Sequence, residues 1–277
     1  MTFLKNYINI ISKEIERIDL PNEPKNLYEP INYFLALGGK RIRPVLAIMG
    51  YKLFAKDYLK ALPIAKMVEL FHNFSLIHDD IMDDAPLRRG KQTVHEKWDN
   101  NIGILSGDMV LIKAYQELEN VDKIHQPEIL KVFNICSVKV CEVQQYDMDF
   151  EKVDNVSVNQ YINMIYLKTS ALLEHALEMG GIVAGANQKE RENLRAFGKN
   201  LGIAFQLRDD LLDVFGEEDF GKQKAGDIIS NKKTFKTRKS KLEPPGKVRL
   251  FIVKLAPAVI VPPPVLLKVI EESVGKL

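Results

Sequence analysis

Apolar residues along this chain recur at intervals of three and four, the period of helices buried on one side. Leu4, Ile8, Ile11, Ile15 and Ile18 mark one apolar face and predict a first amphipathic helix over residues 3–18. Leu20 to Pro24 reads as a turn, and residues 27–37 as a second helix ended by Gly38-Gly39. Pro44 suits the first turn of a third helix over 45–54. Ile64, Val68, Phe71 and Ser75 keep the same period and predict a long helix over 61–84, which Pro86 stops. A polar connection over 90–101 contains Trp98. Further helices are predicted over 102–118, where Gly103 and Gly107 permit close packing, and over 129–148, 158–180 and 190–215. No run alternates apolar and polar residues with the two-residue period of a strand. The expectation is an all-α protein, a single-domain helical bundle around a central cavity.

Composition narrows the picture only a little. The chain has 277 residues, 46% hydrophobic and 27% charged, which is ordinary for a globular protein and long enough to bury a large core. A net charge of +2 gives no reason to expect a nucleic-acid partner. Cys136 and Cys141 do not form a Cys-x-x-Cys pair and make no disulfide framework. They read as two ordinary buried thiols in a reducing, cytoplasmic setting. The N-terminus has no signal-peptide pattern. Residues 251–267 are apolar, but Lys254 and the prolines exclude a membrane span.

Candidate chemistry is concentrated in His78-Asp79-Asp80-Ile81-Met82-Asp83-Asp84, followed by Ala85-Pro86-Leu87-Arg88-Arg89-Gly90. Asp79 and Asp83 are one helical turn apart and share a face. Two carboxylates about 6 Å apart repel by roughly 3 kcal/mol at an effective dielectric near 20, and the helix dipole disfavours anions at a C-terminus. Such a cluster calls for cations. Hard oxygen ligands with open positions suit Mg²⁺, commonly held by one or two carboxylates together with substrate phosphates, and Arg88 and Arg89 could meet the outer phosphate oxygens. Taken alone, the cluster is more often a solvated helix end. The pattern returns, however, in Gln206-Leu207-Arg208-Asp209-Asp210-Leu211-Leu212-Asp213, again after an apolar helical run and again trailed by basic residues, here Lys222 and Asn231-Lys232-Lys233-Thr234. Two acidic helix faces suggest Mg²⁺ ions clamping a diphosphate between them.

With these motifs the sequence resembles the trans-isoprenyl diphosphate synthases of the polyprenyl synthetase family. The matching pieces run in the family's order: Gly38-Gly39-Lys40-Arg41-Ile42-Arg43-Pro44; Glu69 to His72 leading into Asp79 to Asp83 and Arg88-Arg89-Gly90; Gln144 to Asp147; Lys168-Thr169; Phe205-Gln206 leading into Asp209 to Asp213; then Lys222 and Lys232. They cover residues 25 to 235. Val143 stands where the family usually has glycine, and it either narrows the cavity or simply packs.

The resemblance implies a Mg²⁺-dependent prenyltransferase that joins isopentenyl diphosphate to an allylic diphosphate. By the same carry-over, Asp79, Asp83 and Asp209 hold Mg²⁺. Asp80, Asp84, Asp210 and Asp213 meet the metal through water or support its ligands. Lys40, Arg43, His72 and Arg89 bind isopentenyl diphosphate. Arg88, Lys168, Thr169, Gln206, Lys222 and Lys232 bind the allylic diphosphate. Phe74 and Ser75, one turn before Asp79, face the growing chain. An aromatic at the position of Phe74 acts as a floor in short-chain members, which suggests C15 to C20 products, with C20 slightly favoured. A homodimer is the family's habit. Class I terpene cyclases share the first acidic motif but normally lack the second and the isopentenyl diphosphate pocket. An HD-type phosphohydrolase would need more histidines. A non-catalytic subunit stays open because of the C-terminus. Residues 1–235 form the expected synthase domain, whereas 236–277 depart from the family's helices: a basic run to Lys241 precedes Pro244-Pro245, Pro257 and Pro262-Pro263-Pro264. This segment reads as a shifted reading frame, an irregular apolar cover, or a partner-binding segment; the abrupt change favours the first.

Overall fold

A computed structural model describes residues 3–151 and 157–215, with the side chains of Phe3, Glu151, Val158, Tyr161 and residues 208–215 left aside. Lys222, Lys232 and the 236–277 segment lie outside the described residues. The protein is all-α. Its helices are α1 (Phe3–Glu16), α2 (Lys25–Ala36), α3 (Ile42–Lys52), α4 (Leu62–Met82), α5 (Val94–Lys97), α6 (Asn100–Gln116), α7 (Gln126–Glu151), α8 (Val158–Ile165), α9 (Ala171–Val183) and α10 (Gln188–Phe215). The described chain divides into two compact units, residues 3–132 with 176–191, and residues 133–175 with 192–215.

In the first unit α4 is the central element. From Ile64 to Phe71 nearly every side chain is buried, polar Glu69 included, so this helix is wrapped rather than laid on a surface. It packs chiefly against α6 and α3. The α4–α6 contact explains the two glycines of α6. A Cβ on Gly107 would lie 2.3 Å from the His78 ring, and one on Gly103 would lie 2.8 Å from Ile81. A second close approach joins α3 to the C-terminal part of α9. Added Cβ atoms on Gly50 and Gly180 would meet the Leu177 and Ala47 carbonyl oxygens at 2.2 and 2.0 Å. Arg191 ties the unit's late segment to α7 by donating to Glu128 at 2.6 Å and to Glu178 at 2.9 Å.

The second unit is built on a cluster of Val143, Met164, Ile165, Leu167, Ile203 and Leu207. Val143, at the position where glycine was the expectation, is a packing residue here, 4% exposed. A single π-helical turn, Tyr166–Ser170, interrupts the predicted 158–180 helix between α8 and α9. It coincides with a tight contact to α10, where a Cβ on Gly202 would lie 2.4 Å from Ser170. Ser157 and Gln160 form a capping box that starts α8.

Two departures from the sequence reading have simple causes. A short antiparallel ribbon, β1 (Leu87–Arg88) with β2 (Lys91–Gln92), leads into the polar connection. Two residues per strand cannot display a two-residue period. The signal lay in the turn, where Arg89 and Gly90 both have positive φ (54° and 74°), as a primed hairpin turn demands. The thiols also differ from each other: Cys136 is buried but Cys141 is exposed. Five positions on one helix differ by about 140° in direction, so both cannot face the same core.

Candidate active site

Gly38, Gly39 and Arg41 turn the chain from α2 into α3, all with positive φ (75°, 147° and 51°). The turn points the basic residues in different directions. Lys40 is exposed. Arg41 goes inward, donates to the Leu35 carbonyl at 3.2 Å and forms an ion pair with Glu69 of α4. Arg43, in the first turn of α3, donates to His72 Nε2 at 3.1 Å. Arg89 donates to the Gly38 carbonyl. A Cβ on Gly39 would touch its guanidinium at 2.9 Å, so the glycine makes the space this arginine fills. Arg43, His72 and Arg89, three of the four residues expected to hold isopentenyl diphosphate, are thereby gathered beside the glycine turn, with Lys40 on that same turn.

The charge balance of this pocket is strongly positive. His72 lies among Arg43, Arg89, Arg88 and Arg41. Burial and then these guanidinium charges hold its imidazole well below the usual histidine range. Its Nε2 accepts from Arg43, so the neutral ring is the form that fits. Burial and the neighbouring Arg41 also hold the Arg89 guanidinium below its ordinary value. Arg41 and Arg88 have counter-charges in Glu69 and Asp80, whereas Arg43 contacts His72 and Arg89 the Gly38 carbonyl.

About two turns further along α4 the four acids separate by environment. Asp79 is half-buried, and Asp83 and Asp84 are exposed. The Asp83 N–H donates to the Asp79 carbonyl at 2.9 Å, so the helical register carries through to Asp83 and the two side chains sit at the same end of α4. Asp80 is only 2% exposed and faces inward, to Arg88. Arg88 donates to it three times, from Nε at 2.9 and 2.7 Å and from Nη2 at 2.6 Å. Burial still raises the Asp80 carboxyl above its ordinary value, against the pull of Arg88. Asp79 and Asp83 offer hard carboxylate oxygens, the donor type that Mg²⁺ takes, on a half-buried and an exposed residue. Asp80 is spent on Arg88.

Phe74 and Ser75 occupy the preceding turn. Phe74 is half-buried, with ring centroids 5.6 Å from Phe71 and 4.8 Å from His78. The Ser75 hydroxyl donates to the His72 carbonyl at 2.9 Å, which keeps it folded onto its own helix.

In the second unit the π-helical turn presents Lys168 and Thr169 from adjacent positions. Lys168 forms an ion pair with Asp147 of α7. Thr169 donates to Gln206 Oε1 at 2.7 Å. These contacts join three of the motifs on which the family resemblance rests. Single π turns inside α-helices are frequent at functional sites. Asp209, Asp210 and Asp213 belong to α10, but their side chains lie outside the described residues.

Several partners within the site had no signal of their own in the sequence. Arg41, a member of the glycine-led motif without an assigned role, is a buried brace. Asp147, the end of the Gln144 to Asp147 motif, pairs with a lysine 21 positions later. Only Glu69, an acid on an otherwise apolar helical stretch, hinted that a buried cation must face it.

The polyprenyl synthetase family model matches residues 24–243. A short chain isoprenyl diphosphate synthase of Methanocaldococcus jannaschii is 40% identical over 236 residues, which cover 84% of this chain and 71% of that protein. Among solved structures, a geranylgeranyl pyrophosphate synthase superposes with a TM-score of 0.83 at 45% identity, covering 99% of this chain and 84% of that one. The geranylgeranyl pyrophosphate synthetase of Pyrococcus horikoshii superposes with a TM-score of 0.81 at 32% identity, covering 92% and 84%. With its glycine turn, arginine-lined histidine pocket and acidic helix end in this setting, the chain belongs to the polyprenyl synthetase family, the trans-isoprenyl diphosphate synthases.

Proposed function

We propose that this chain is a Mg²⁺-dependent trans-prenyltransferase that condenses isopentenyl diphosphate with an allylic diphosphate to a C15 to C20 product, C20 being favoured. The observation that carries the reading is the sorting of charges along α4. A neutral histidine ringed by arginines stands about two to three helical turns from two carboxylates at i and i+4, one half-buried and one exposed. One place suits a diphosphate directly, the other a diphosphate through metal. The relatives' names, short chain and geranylgeranyl, agree with the product class. Because these relatives are named as synthases, the cyclase alternative is not favoured.

In this reading Lys40, Arg43, His72 and Arg89 hold the diphosphate of isopentenyl diphosphate. Asp79, Asp83 and Asp209 hold Mg²⁺, which when bound supplies positive charge to the leaving diphosphate. Asp84, Asp210 and Asp213 support those ligands through water, and Asp80 does so through Arg88. Asp80 grips the Nε–Nη2 edge of Arg88 and so fixes where the rest of the guanidinium points, toward the allylic diphosphate. Lys168, Thr169, Gln206, Lys222 and Lys232 complete that binding set. The allylic C–O bond breaks, and its electron pair leaves with diphosphate. The double bond of isopentenyl diphosphate attacks the allylic cation to form the new C–C bond, and a proton passes to the departing diphosphate. The hydroxyl of Thr169 and the amide of Gln206 are already fixed on each other and offer dipoles without reorganisation. Phe74 closes the path of the growing chain.

The enzyme acts as a homodimer in this proposal. Ile104, Leu105 and Ile112 on α6 are 45%, 58% and 50% exposed, an apolar strip on one helix that a second copy would cover. The assay is direct. Purified protein is incubated with Mg²⁺, isopentenyl diphosphate and dimethylallyl diphosphate, and the chain length of the product is measured. A single C15 or C20 product is expected. A folded chain that makes no product in the presence of Mg²⁺ would refute the catalytic reading in favour of a non-catalytic subunit.

A further inference from the structure

Beyond the acidic face assigned to Mg²⁺, a second group of ligating atoms lies just past the end of α4. Asp84, His95 and Glu96 each bring one such atom, and these lie within 4.8 Å of one another. The local chain folding explains the meeting. Asp84 has a left-handed backbone (φ 48°), which ends α4 and sends the chain back. Thr93 then hooks the returning segment twice: its hydroxyl donates to the Ala85 carbonyl at 2.8 Å and its N–H to the Pro86 carbonyl at 3.2 Å. That register brings Asp84 against the first turn of α5.

The histidine is the informative member. His95 has a side chain only 4% exposed, yet neither ring nitrogen has a hydrogen-bond partner. A buried imidazole without a hydrogen-bond partner is destabilising unless something else satisfies it. Its Nε2 looks toward Glu96 Oε1, 3.8 Å away, too long for a hydrogen bond. The two carboxylates are on the solvent side. A buried imidazole behind two exposed carboxylates is a half-shell of ligands with an open outer face.

We propose that Asp84, His95 and Glu96 bind a divalent transition metal of the Zn²⁺ class, at a site that is distinct from the direct Mg²⁺ ligands Asp79 and Asp83 and in which Asp84, rather than only supporting those ligands through water, ligates directly. One imidazole nitrogen with two carboxylate oxygens suits Zn²⁺, Co²⁺ or Mn²⁺ and is unsuited to Mg²⁺, which prefers oxygen alone. Metal–ligand distances near 2.0–2.1 Å would draw the three atoms together by small side-chain rotations, and water would fill the remaining positions. The ion would staple the end of α4 to α5 and so brace the segment that carries Asp83 at one end and Arg88 beyond it.

The test is a titration of the full chain with Zn²⁺, and with Co²⁺ as a coloured substitute, in a large excess of Mg²⁺. One equivalent is expected to bind, with a Co²⁺ visible spectrum typical of nitrogen–oxygen ligation. Glu96→Gln, an exposed change that leaves the fold intact, should weaken Zn²⁺ binding at least tenfold while retaining turnover in Mg²⁺ alone. His95→Asn should lose the site, with the far-ultraviolet spectrum checking its fold. Asp79→Asn should keep it. The proposal is overturned if the wild-type chain takes up no Zn²⁺, if Glu96→Gln binds it as the wild type does, or if Asp79→Asn abolishes the uptake, which would put the ion at the Mg²⁺ ligands. Because binding is read without turnover, a chain that fails as a synthase still gives a clear answer here.

Discussion

Arg41 and Glu69 form an ion pair in which each side chain is only 3% exposed, joining the glycine turn before α3 to the middle of α4. In the interior such a pair gains little net stability over apolar residues of the same shape, but removing one partner strands a charge. Glu69→Ala is therefore expected to lower stability by about 3–5 kcal/mol, read as a shift of the urea midpoint at unchanged slope. Lys60→Ala, which breaks the exposed pair with Asp122, serves as the control and should leave the midpoint where it is. Equal effects from the two changes would refute the brace. The consequence for function is positional, because the same turn carries Lys40 and leads directly into Arg43.

His72 gives the acid side of the stability profile a definite sign. Its folded-state value lies well below the unfolded value of 6.5. In the window below about pH 6.5 the unfolded chain thus binds more protons than the folded one, and stability falls as pH falls. Above that window both states are neutral at this group and its contribution is complete. His72→Gln keeps a neutral acceptor for Arg43 and should flatten this part of the profile. Urea midpoints between about pH 5 and pH 8 measure it. A slope unchanged by the substitution would remove His72 from the account. Inorganic diphosphate should counter the arginine charges and raise the imidazole, so its binding to the wild type should take up more protons than binding to His72→Gln.

Arg88 should prove as important to Asp80 as to any ligand. With the guanidinium gone, a carboxyl already raised by burial loses its three donated hydrogen bonds and moves up further. A folded value raised above the unfolded one means that the cost is absent at low pH and grows as pH rises through the carboxylate range. Arg88→Ala should therefore lose about 3 kcal/mol at neutral pH and distinctly less near pH 4. Combining it with Asp80→Asn should recover part of the loss, since the stranded charge is then removed. Additive effects in the double variant would mean that the two side chains act independently.

How much of this was legible beforehand varied with the physics involved. Helix positions were, because burial on one side writes a 3.6-residue period into the chain; the predicted 61–84 segment and α4 differ only at their ends. Spacing also marked the acids of the first motif. It put Asp79 and Asp83 on one face, and the resemblance gave Asp80 a supporting role; what neither told was that Arg88 is the residue Asp80 holds. Asp79 and Asp80 are neighbours with a rotation of about 100° between them, enough to turn one toward solvent and the other onto Arg88. Arg41 and Arg43 likewise share one basic motif, and only the family resemblance, not the spacing, singled out Arg43. A left-handed residue at Arg41, adopted without glycine, sends one into the core and leaves the other beside His72. The π turn at Lys168-Thr169 left no mark because its cause is a tertiary contact, the close approach of α10 at Gly202.

Product length should respond to Phe74. This ring is half-buried and held by Phe71 and His78, not free to swing away from its turn of α4. His78 in turn is pinned, its Nε2 in hydrogen-bond contact with the Ile104 carbonyl at 3.0 Å and its ring lying over Gly107. A floor works only if it is stiff, and this stack provides the stiffness. Removing the ring leaves a space that an apolar prenyl chain can fill, as engineered apolar cavities accept apolar guests. Phe74→Ala is therefore expected to lengthen the product by one or more five-carbon units. Its stability cost is about 3–5 kcal/mol or somewhat less, the residue being only half-buried. Ser75→Phe, which sets a second ring on the same turn, should shorten the product. Chromatography of the dephosphorylated products with Mg²⁺ and both substrates measures both. The informative pattern is a change in length at retained turnover: an unchanged product from an active Phe74→Ala chain would mean that the ring is ordinary packing and that the limit on length lies on another helix.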